Sequence, residues 1–167
     1  MIGWLLDTHV VSALASPNGA PSVKSWASAQ SEDRMFLSVL TLAESDKGIH
    51  KREPGHTDRS RYAVARDALA SRFSDRILSV DDAVIFRWGV ISGEVKRQTG
   101  HAPSVIDTML AATAIEHDLI LVTRNAKDTR HSGAAIFNPW EDDPSLFPLT
   151  CCLTILWPPR GVCRAAQ

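Results

Sequence analysis

Four polar residues stand where distant segments of the sequence could bring side chains together for chemistry. Asp7 ends the first apolar run, and Glu44 sits in the first turn after the second predicted strand. Asp107 lies in the first turn of a predicted helix, and Asn125 comes two residues after Thr123, which ends the fourth predicted strand. In an open parallel sheet, ligands bind beyond the carboxyl ends of the strands, so we expect these four side chains to converge there.

The chemistry of this set follows from its oxygen atoms. Three converging carboxylates repel one another, and a bound divalent cation removes that repulsion. Oxygen ligands without thiolates or paired histidines favour Mg²⁺ or Mn²⁺ over zinc or copper. Such a cation polarises a phosphodiester and activates a water molecule for attack on phosphorus. The sequence therefore predicts metal-assisted phosphodiester hydrolysis.

The same acids could instead cap helices. Thr41 with Glu44, and Ser104 with Asp107, match the capping box, in which an acid satisfies the helix N-terminus. Asp7 could likewise cap the helix that follows it. Spacing alone leaves both interpretations open for each acid.

Strands and helices alternate along the chain that must position these residues. Strands are predicted over 2–6, 35–39, 76–80, 119–123 and 134–137. Helices are predicted over 8–15, 21–30, 41–51, 58–73, 82–98 and 104–117. This alternation predicts an α/β fold, a single domain with a parallel, doubly wound sheet of four to five strands flanked by helices.

The composition changes near residue 142. Prolines interrupt an otherwise apolar segment there, and all three cysteines lie in the last 17 residues, so we expect no disulfides to hold the domain together. We expect one domain over 1–141 and an atypical extension of unknown role over 142–167.

The first apolar run is broken at Asp7, too early for a secretory signal, and no run approaches the roughly 20 apolar residues of a membrane span. The expected location is the cytoplasm.

Six segments, taken in order, resemble the motifs of PIN-domain nucleases. They are LLDTHVVS at 5–12, LSVLTLAE at 37–44 with Gly48-Ile49, RIL at 76–78, DTMLAATA at 107–114, LVTRN at 121–125 and NPW at 138–140. Within that family the chain looks most like VapC-type toxins of the FitB-like branch. The resemblance covers about residues 2–141.

The resemblance implies a Mg²⁺- or Mn²⁺-dependent ribonuclease, the toxin of a type II toxin–antitoxin pair. Such toxins are usually homodimers inhibited by a cognate antitoxin, and operator DNA would be contacted only through that antitoxin. Asp7, Glu44 and Asp107 match the three acids of the family's metal site. Asn125 matches a fourth position, which is Asp in some members and Asn in others, and Asp128 matches an acid often found after that motif.

The chain departs from the family pattern at several places. His9 stands where many members carry Asn, Thr129 stands where an aromatic residue is common, Asn125 leaves the site one carboxylate short of its most acidic version, and the tail after Asp143 has no recognised counterpart. Asn125 and the tail leave open an alternative function, a catalytically weak PIN domain that serves as a binding module in an antitoxin–DNA complex.

The charge is unevenly distributed. The chain has 18 Lys and Arg against 19 Asp and Glu, a net charge of −1, which excludes non-specific coating of nucleic acid. Residues 47–76, however, hold eight bases and four acids, a local charge of +4. This segment is either a solvated surface or a contact for RNA phosphates or for an acidic antitoxin segment.

Overall fold

Five strands form one parallel sheet in the computed structural model, which describes residues 1–147 and 149. The strands are β1 (Gly3–Leu6), β2 (Met35–Ser38), β3 (Ile77–Leu78), β4 (Leu119–Val122) and β5 (Ile136–Phe137). Their order is β3-β2-β1-β4-β5, and every neighbouring pair is parallel. The predicted α/β fold with a parallel, doubly wound sheet is confirmed. Strands β2 and β3 follow β1 on one side of the sheet, whereas β4 and β5 lie on its other side. The strand order therefore reverses between β1 and β4.

Helices connect and cover these strands. They are α1 (Thr8–Ala15), α2 (Pro21–Ser28), α3 (Val39–His50), α4 (Thr57–Arg72), α5 (Asp82–Thr99), α6 (Val105–Glu116) and the single turn α7 (Ala126–Thr129). Short 3-10 turns lie at Glu32–Arg34 and Pro144–Leu146. The first six helices occupy the predicted segments, although α3 begins at Val39 rather than at the predicted Thr41. The turn α7 was not predicted, because four residues are too few to show an apolar period.

The two central strands are buried along their whole length. Every residue of β1 and β4 is buried, and their register pairs Leu5 with Leu121 and Leu6 with Val122. Leu5 packs in the cluster that includes Leu110 of α6, and Leu6 packs on the opposite face of the sheet, in a cluster with Trp26. Burial on both faces explains the uninterrupted apolar runs of these strands in the sequence.

The chain beyond residue 141 still contacts this core where it is described. The Phe147 ring lies 5.1 Å from the Phe137 ring of β5, and Asp142 accepts a hydrogen bond from the Asn138 backbone N–H at 2.7 Å. The remainder of the predicted extension, residues 148 and 150–167, lies outside the described residues. The boundary at residue 141 stays a prediction. Within the described chain, no helix is both long and apolar enough to span a bilayer.

Candidate functional site at the strand-order reversal

Asp7 is the first residue after β1, and neighbouring donors hold its buried carboxylate. It is 2% exposed, and its Oδ1 accepts from the Thr8 backbone N–H at 2.6 Å, which caps α1. Its Oδ2 accepts from the Thr123 hydroxyl at 2.7 Å and lies 3.1 Å from His9 Nδ1. The capping interpretation is therefore correct for Asp7, but it uses only one of the two oxygens. Burial of a carboxylate is costly unless such hydrogen bonds hold it, so they orient the group firmly.

Glu44 is held by a different contact from the one that capping predicts. The cap of α3 is Ser38, whose side chain accepts from the Leu40 backbone N–H at 3.2 Å, so the helix begins at Val39, before the predicted start at Thr41. Thr41 instead donates to the Leu6 carbonyl at 3.1 Å and ties α3 to the end of β1. The capping interpretation is thus wrong for Glu44, which lies in the second turn of the helix rather than the first.

The Glu44 side chain reaches back to the start of α1. Its Oε2 accepts from the Thr8 hydroxyl at 2.7 Å. Because the Thr8 backbone N–H also donates to Asp7, one residue links two carboxylates that are far apart in sequence. Thr8 was not singled out from the sequence as a site residue, although its place directly after Asp7 was visible.

Asp107 and Asn125 form the other half of the site. Ser104 caps α6 and accepts from the Asp107 backbone N–H at 3.5 Å, so the capping residue of this predicted box is correct. The Asn125 amide donates to Asp107 Oδ2 at 3.0 Å, and the Asn125 backbone N–H donates to the Thr123 hydroxyl at 3.0 Å. Thr123 therefore joins this half to Asp7.

One chain of hydrogen bonds consequently connects all four predicted site residues. In order, it runs through Glu44, Thr8, Asp7, Thr123, Asn125 and Asp107. It crosses the sheet where the strand order reverses, and the Asp7 backbone N–H donates to the Val122 carbonyl at 3.0 Å there. Crevices at such reversals are the usual ligand sites of open α/β sheets. Asp128, the fifth residue matched to the family, has its side chain outside the described part.

The donor set fits a hard divalent cation by its chemistry, although its members do not close into a metal-ligand cluster. No group of three or more His, Cys, Asp or Glu side chains close enough to hold a metal is found among the described residues. Glu44 and Asp107 join the network through the Thr8 hydroxyl and the Asn125 amide. A cation held by all three acids would replace those two hydrogen bonds by coordination. Carboxylate and amide oxygens are ligands that Mg²⁺ and Mn²⁺ accept.

A cavity of about 200 Å³ opens beside Glu44. Its lining residues are Thr8, His9, Glu44, Lys47, Gly48 and Lys51. Lys47 follows Glu44 by three positions and shares its face of α3, and Lys51 is the residue that caps the end of this helix. Positive charge thus lines the same cavity as the Glu44 carboxylate.

Three arginines of the segment 47–76 form ion pairs with acidic residues of the protein. Arg66 lies 2.8 Å from Asp46, and Arg72 and Arg76 both pair with Glu32. The Arg72 hydrogen bond lowers the pKa of the Glu32 carboxyl. These three arginines therefore hold α4 and the start of β3 against neighbouring elements. A count of charges in the sequence cannot distinguish arginines in such ion pairs from arginines that contact nucleic acid.

Comparison with known proteins agrees with the motifs and the fold. A PIN-domain family model matches residues 4–132. The toxin FitB of Neisseria gonorrhoeae is 29% identical over 138 residues, which cover 83% of this chain and 99% of FitB. The VapC ribonuclease Y4jK of Sinorhizobium fredii is 27% identical over 141 residues, which cover 82% of this chain and 97% of that protein.

Among solved structures, FitAB bound to an IR36 DNA fragment superposes with a TM-score of 0.75 at 27% identity and covers 84% of this chain and 97% of the matched chain. The FitAcB crystal structure from Neisseria gonorrhoeae has a TM-score of 0.72 at 29% identity, with coverage of 82% and 98%. The chain therefore belongs to the PIN-domain family and is a VapC/FitB-like member of it.

Proposed function

We propose that the protein is a metal-dependent endoribonuclease that acts as the toxin of a toxin–antitoxin pair in the cytoplasm. The observation that carries the proposal is the hydrogen-bond chain that joins Asp7, Glu44, Asp107 and Asn125 across the strand-order reversal. Relatives named as a toxin and as a ribonuclease support the same activity.

Asp7, Glu44 and Asp107 would hold Mg²⁺ or Mn²⁺, and Asn125 would assist by hydrogen bonding or coordination. When bound, the cation supplies a Lewis acid for the phosphodiester and lowers the pKa of a water molecule. The protein's own contribution is orientation. The donors around Asp7 fix its carboxylate, and the Asn125 amide fixes that of Asp107.

The RNA backbone would be positioned by the lysines beside the acids. Lys47 and Lys51 line the same cavity as Glu44. Clustered lysines bind phosphates by releasing condensed counterions, and this attraction does not depend on base sequence. A phosphate held there would lie next to the carboxylates that hold the cation.

Cleavage of RNA by the purified protein with Mg²⁺ or Mn²⁺ tests this function. Asp7→Ala, Glu44→Gln and Asp107→Asn should each reduce cleavage strongly, since each removes a charged oxygen ligand. Glu94→Gln, a neutralisation of an exposed acid on α5, is the matched control and should cleave normally. Equal cleavage by the wild-type protein and all three site variants would refute the proposal.

The proposed partners follow from the family and from the structural relatives. A cognate antitoxin would inhibit the enzyme, a second copy of the chain would complete a homodimer, and operator DNA would be bound only through the antitoxin. The solved FitAB structure contains a DNA fragment, which supports this arrangement. Co-expression with the product of a small neighbouring gene, followed by co-purification, tests the antitoxin.

A second candidate function is a catalytically weak PIN domain that acts as a binding module in an antitoxin–DNA complex. Two observations favour it: Asn125 occupies the fourth site position, and the described acids do not close into a metal-ligand cluster. Titration calorimetry with Mn²⁺ separates the two functions. No heat at millimolar metal would favour the binding module, and saturable binding that is lost in Asp107→Asn would favour the nuclease.

A further inference from the structure

Arg124 is an exposed residue whose backbone lies between two residues of the site. Thr123, directly before it, donates to the Asp7 carboxylate at 2.7 Å. Asn125, directly after it, donates to the Asp107 carboxylate at 3.0 Å. Both neighbours are therefore tied to carboxylates of the candidate site. The Arg124 side chain thus leaves the backbone at a fixed point of the hydrogen-bond chain.

The Trp140 ring restrains this side chain. The Arg124 guanidinium carbon lies 5.7 Å from the centre of the ring, within the range of cation–π attraction. The tryptophan is partly buried against the core, and its backbone N–H donates to the Asn138 side chain at 3.1 Å. Phe137, which ends β5, accepts from the Thr123 backbone N–H at 3.0 Å. Trp140 therefore holds the guanidinium at the sheet edge that carries the acids.

The donors of this guanidinium are unused within the part of the chain that the structure describes. Its side chain forms no hydrogen bond and no ion pair there, whereas Arg66, Arg72 and Arg76 are each paired with an acid. An arginine presents five N–H donors in a planar fork that matches the oxygens of a phosphate. A restrained guanidinium with unused donors is therefore prepared to bind an anion.

We propose that Arg124 binds an RNA phosphate next to the one that is cleaved, on the opposite side of the site from Lys47 and Lys51. The inference rests on the nuclease proposed above and names a further contact to its substrate. The lysines lie in and at the end of α3, which follows β2, whereas Arg124 follows β4. Since β2 and β4 flank β1 on opposite sides, the two sets of cations lie on either side of Asp7.

This arrangement favours a bond inside an RNA strand over one at its end. A strand that crosses the site can place one phosphate near the lysines and another at Arg124, with the cleaved phosphate between them. A strand that ends at the cleaved bond loses one of these contacts. Each contact also offsets the repulsion between the phosphates and the carboxylates of the site. The two sets of cations therefore select internal phosphodiester bonds.

A scan with neutral phosphates tests the contact. Cleavage by the wild-type protein first maps the bond that is cut in a single-stranded RNA. The dissociation constant is then measured in the Asp107→Asn background, with each phosphate in turn replaced by an uncharged methylphosphonate. Binding should weaken at one position on each side of the cleaved bond. Arg124→Gln should raise the dissociation constant for unmodified RNA roughly tenfold and abolish the sensitivity at one of these positions. Lys47→Ala should affect the other.

Matched variants separate a substrate contact from a general effect of charge or folding. Arg34→Gln is the control, because Arg34 directly precedes β2 and lies at the opposite edge of the sheet. It should change neither the dissociation constant nor the scan. Arg124→Lys keeps the charge without the planar fork and should bind RNA with intermediate affinity. Arg124→Gln should bind Mn²⁺ as the wild-type protein does, and a parallel loss of Mn²⁺ affinity would contradict a contact to RNA alone.

The role of Trp140 as a positioning residue is tested by a double-mutant cycle. Trp140→Leu should weaken RNA binding when Arg124 is present and should have no further effect in Arg124→Gln. Trp140→Phe retains a ring for the guanidinium and should stay close to wild type. An equal loss from Trp140→Leu in both backgrounds would mean that the ring does not act through Arg124.

The outcomes distinguish this contact from the nuclease itself. Absence of RNA cleavage by the wild-type protein would overturn the proposed function. Cleavage by the wild-type protein, together with an unchanged methylphosphonate scan in Arg124→Gln, would overturn the Arg124 contact alone. Weaker binding of an antitoxin by Arg124→Gln, with RNA binding unchanged, would likewise overturn it and assign the guanidinium to that partner.

Discussion

The Thr123 hydroxyl donates a hydrogen bond of 2.7 Å to the buried carboxylate of Asp7, joining residues that are 116 positions apart. The same hydroxyl oxygen accepts from the Asn125 backbone N–H at 3.0 Å. One side chain thus fixes the orientation of an acid on one side of the strand-order reversal and the start of the α7 turn on the other. The Thr123 hydroxyl therefore links the two halves of the site.

Replacing Thr123 by valine removes the hydroxyl while keeping the shape. The buried Asp7 carboxylate then lacks a donor, so we expect the free energy of unfolding to fall by about 1–3 kcal/mol. RNA cleavage should fall as well, because both halves of the site lose their common link. Urea denaturation and a cleavage assay measure the two effects. Thr123→Ser retains the hydroxyl and should stay close to wild type. Equal losses in both variants would mean that the hydroxyl is not the cause.

The Thr8→Val variant tests whether the Thr8 hydroxyl orients the Glu44 carboxylate, with little effect on the stability of the fold. Thr8 donates to Glu44 through its hydroxyl and to Asp7 through its backbone N–H, so the substitution removes only the first bond. Because the Glu44 side chain is only partly buried, we expect a loss of stability of about 1 kcal/mol or less. Cleavage and the affinity for Mn²⁺ should fall more clearly. A variant with normal Mn²⁺ affinity would contradict the role given to Thr8, and Thr8→Ser is the control.

The sequence was sufficient for the sheet but not for the local contacts of the acids. The apolar runs of β1 and β4 are strong signals because both strands are buried on both faces, and the acids after them could be placed at one edge. The start of α3 was misplaced because Ser38 and Thr41 can both cap a helix, and only the tertiary bond from Thr41 to the Leu6 carbonyl decides between them.

The partners of the charged residues in the segment 47–76 could not be predicted from the sequence either. Sequence shows eight bases but not their partners, and Arg66, Arg72 and Arg76 are paired with acids. Glu32, which pairs with two of them, precedes the segment by 15 positions and could not be linked to it by helical spacing. Lys47 in α3 and Lys51 at its end, unlike these arginines, line the cavity beside Glu44.

The Glu32 pair predicts a pH-dependent contribution to stability. The Arg72 hydrogen bond lowers the pKa of Glu32, so the folded state favours the ionised carboxyl. The stabilisation is present above the ordinary pKa of glutamate and is lost as pH falls through the lowered value. Because the Glu32 side chain is 41% exposed, solvent screening limits the effect to less than about 1 kcal/mol. Glu32→Gln should therefore be less stable than wild type at neutral pH and equally stable in strong acid, as measured by urea denaturation. A difference that is constant with pH would contradict an ionic cause.

Lys47 and Lys51 should determine the salt dependence of RNA binding. Each phosphate neutralised on a single strand contributes a slope of about −0.7 to a plot of log affinity against log salt concentration. Replacing both lysines by alanine should therefore make the slope shallower by about 1.4, if each contacts one phosphate. The measurement uses a single-stranded RNA and the Asp107→Asn background, in which cleavage does not interfere. Lys96→Ala, which removes an exposed lysine from α5, should leave the slope unchanged. A slope that stays the same in the double variant would mean that RNA does not pass through the cavity beside Glu44. The nuclease proposal would then rest on the carboxylates alone.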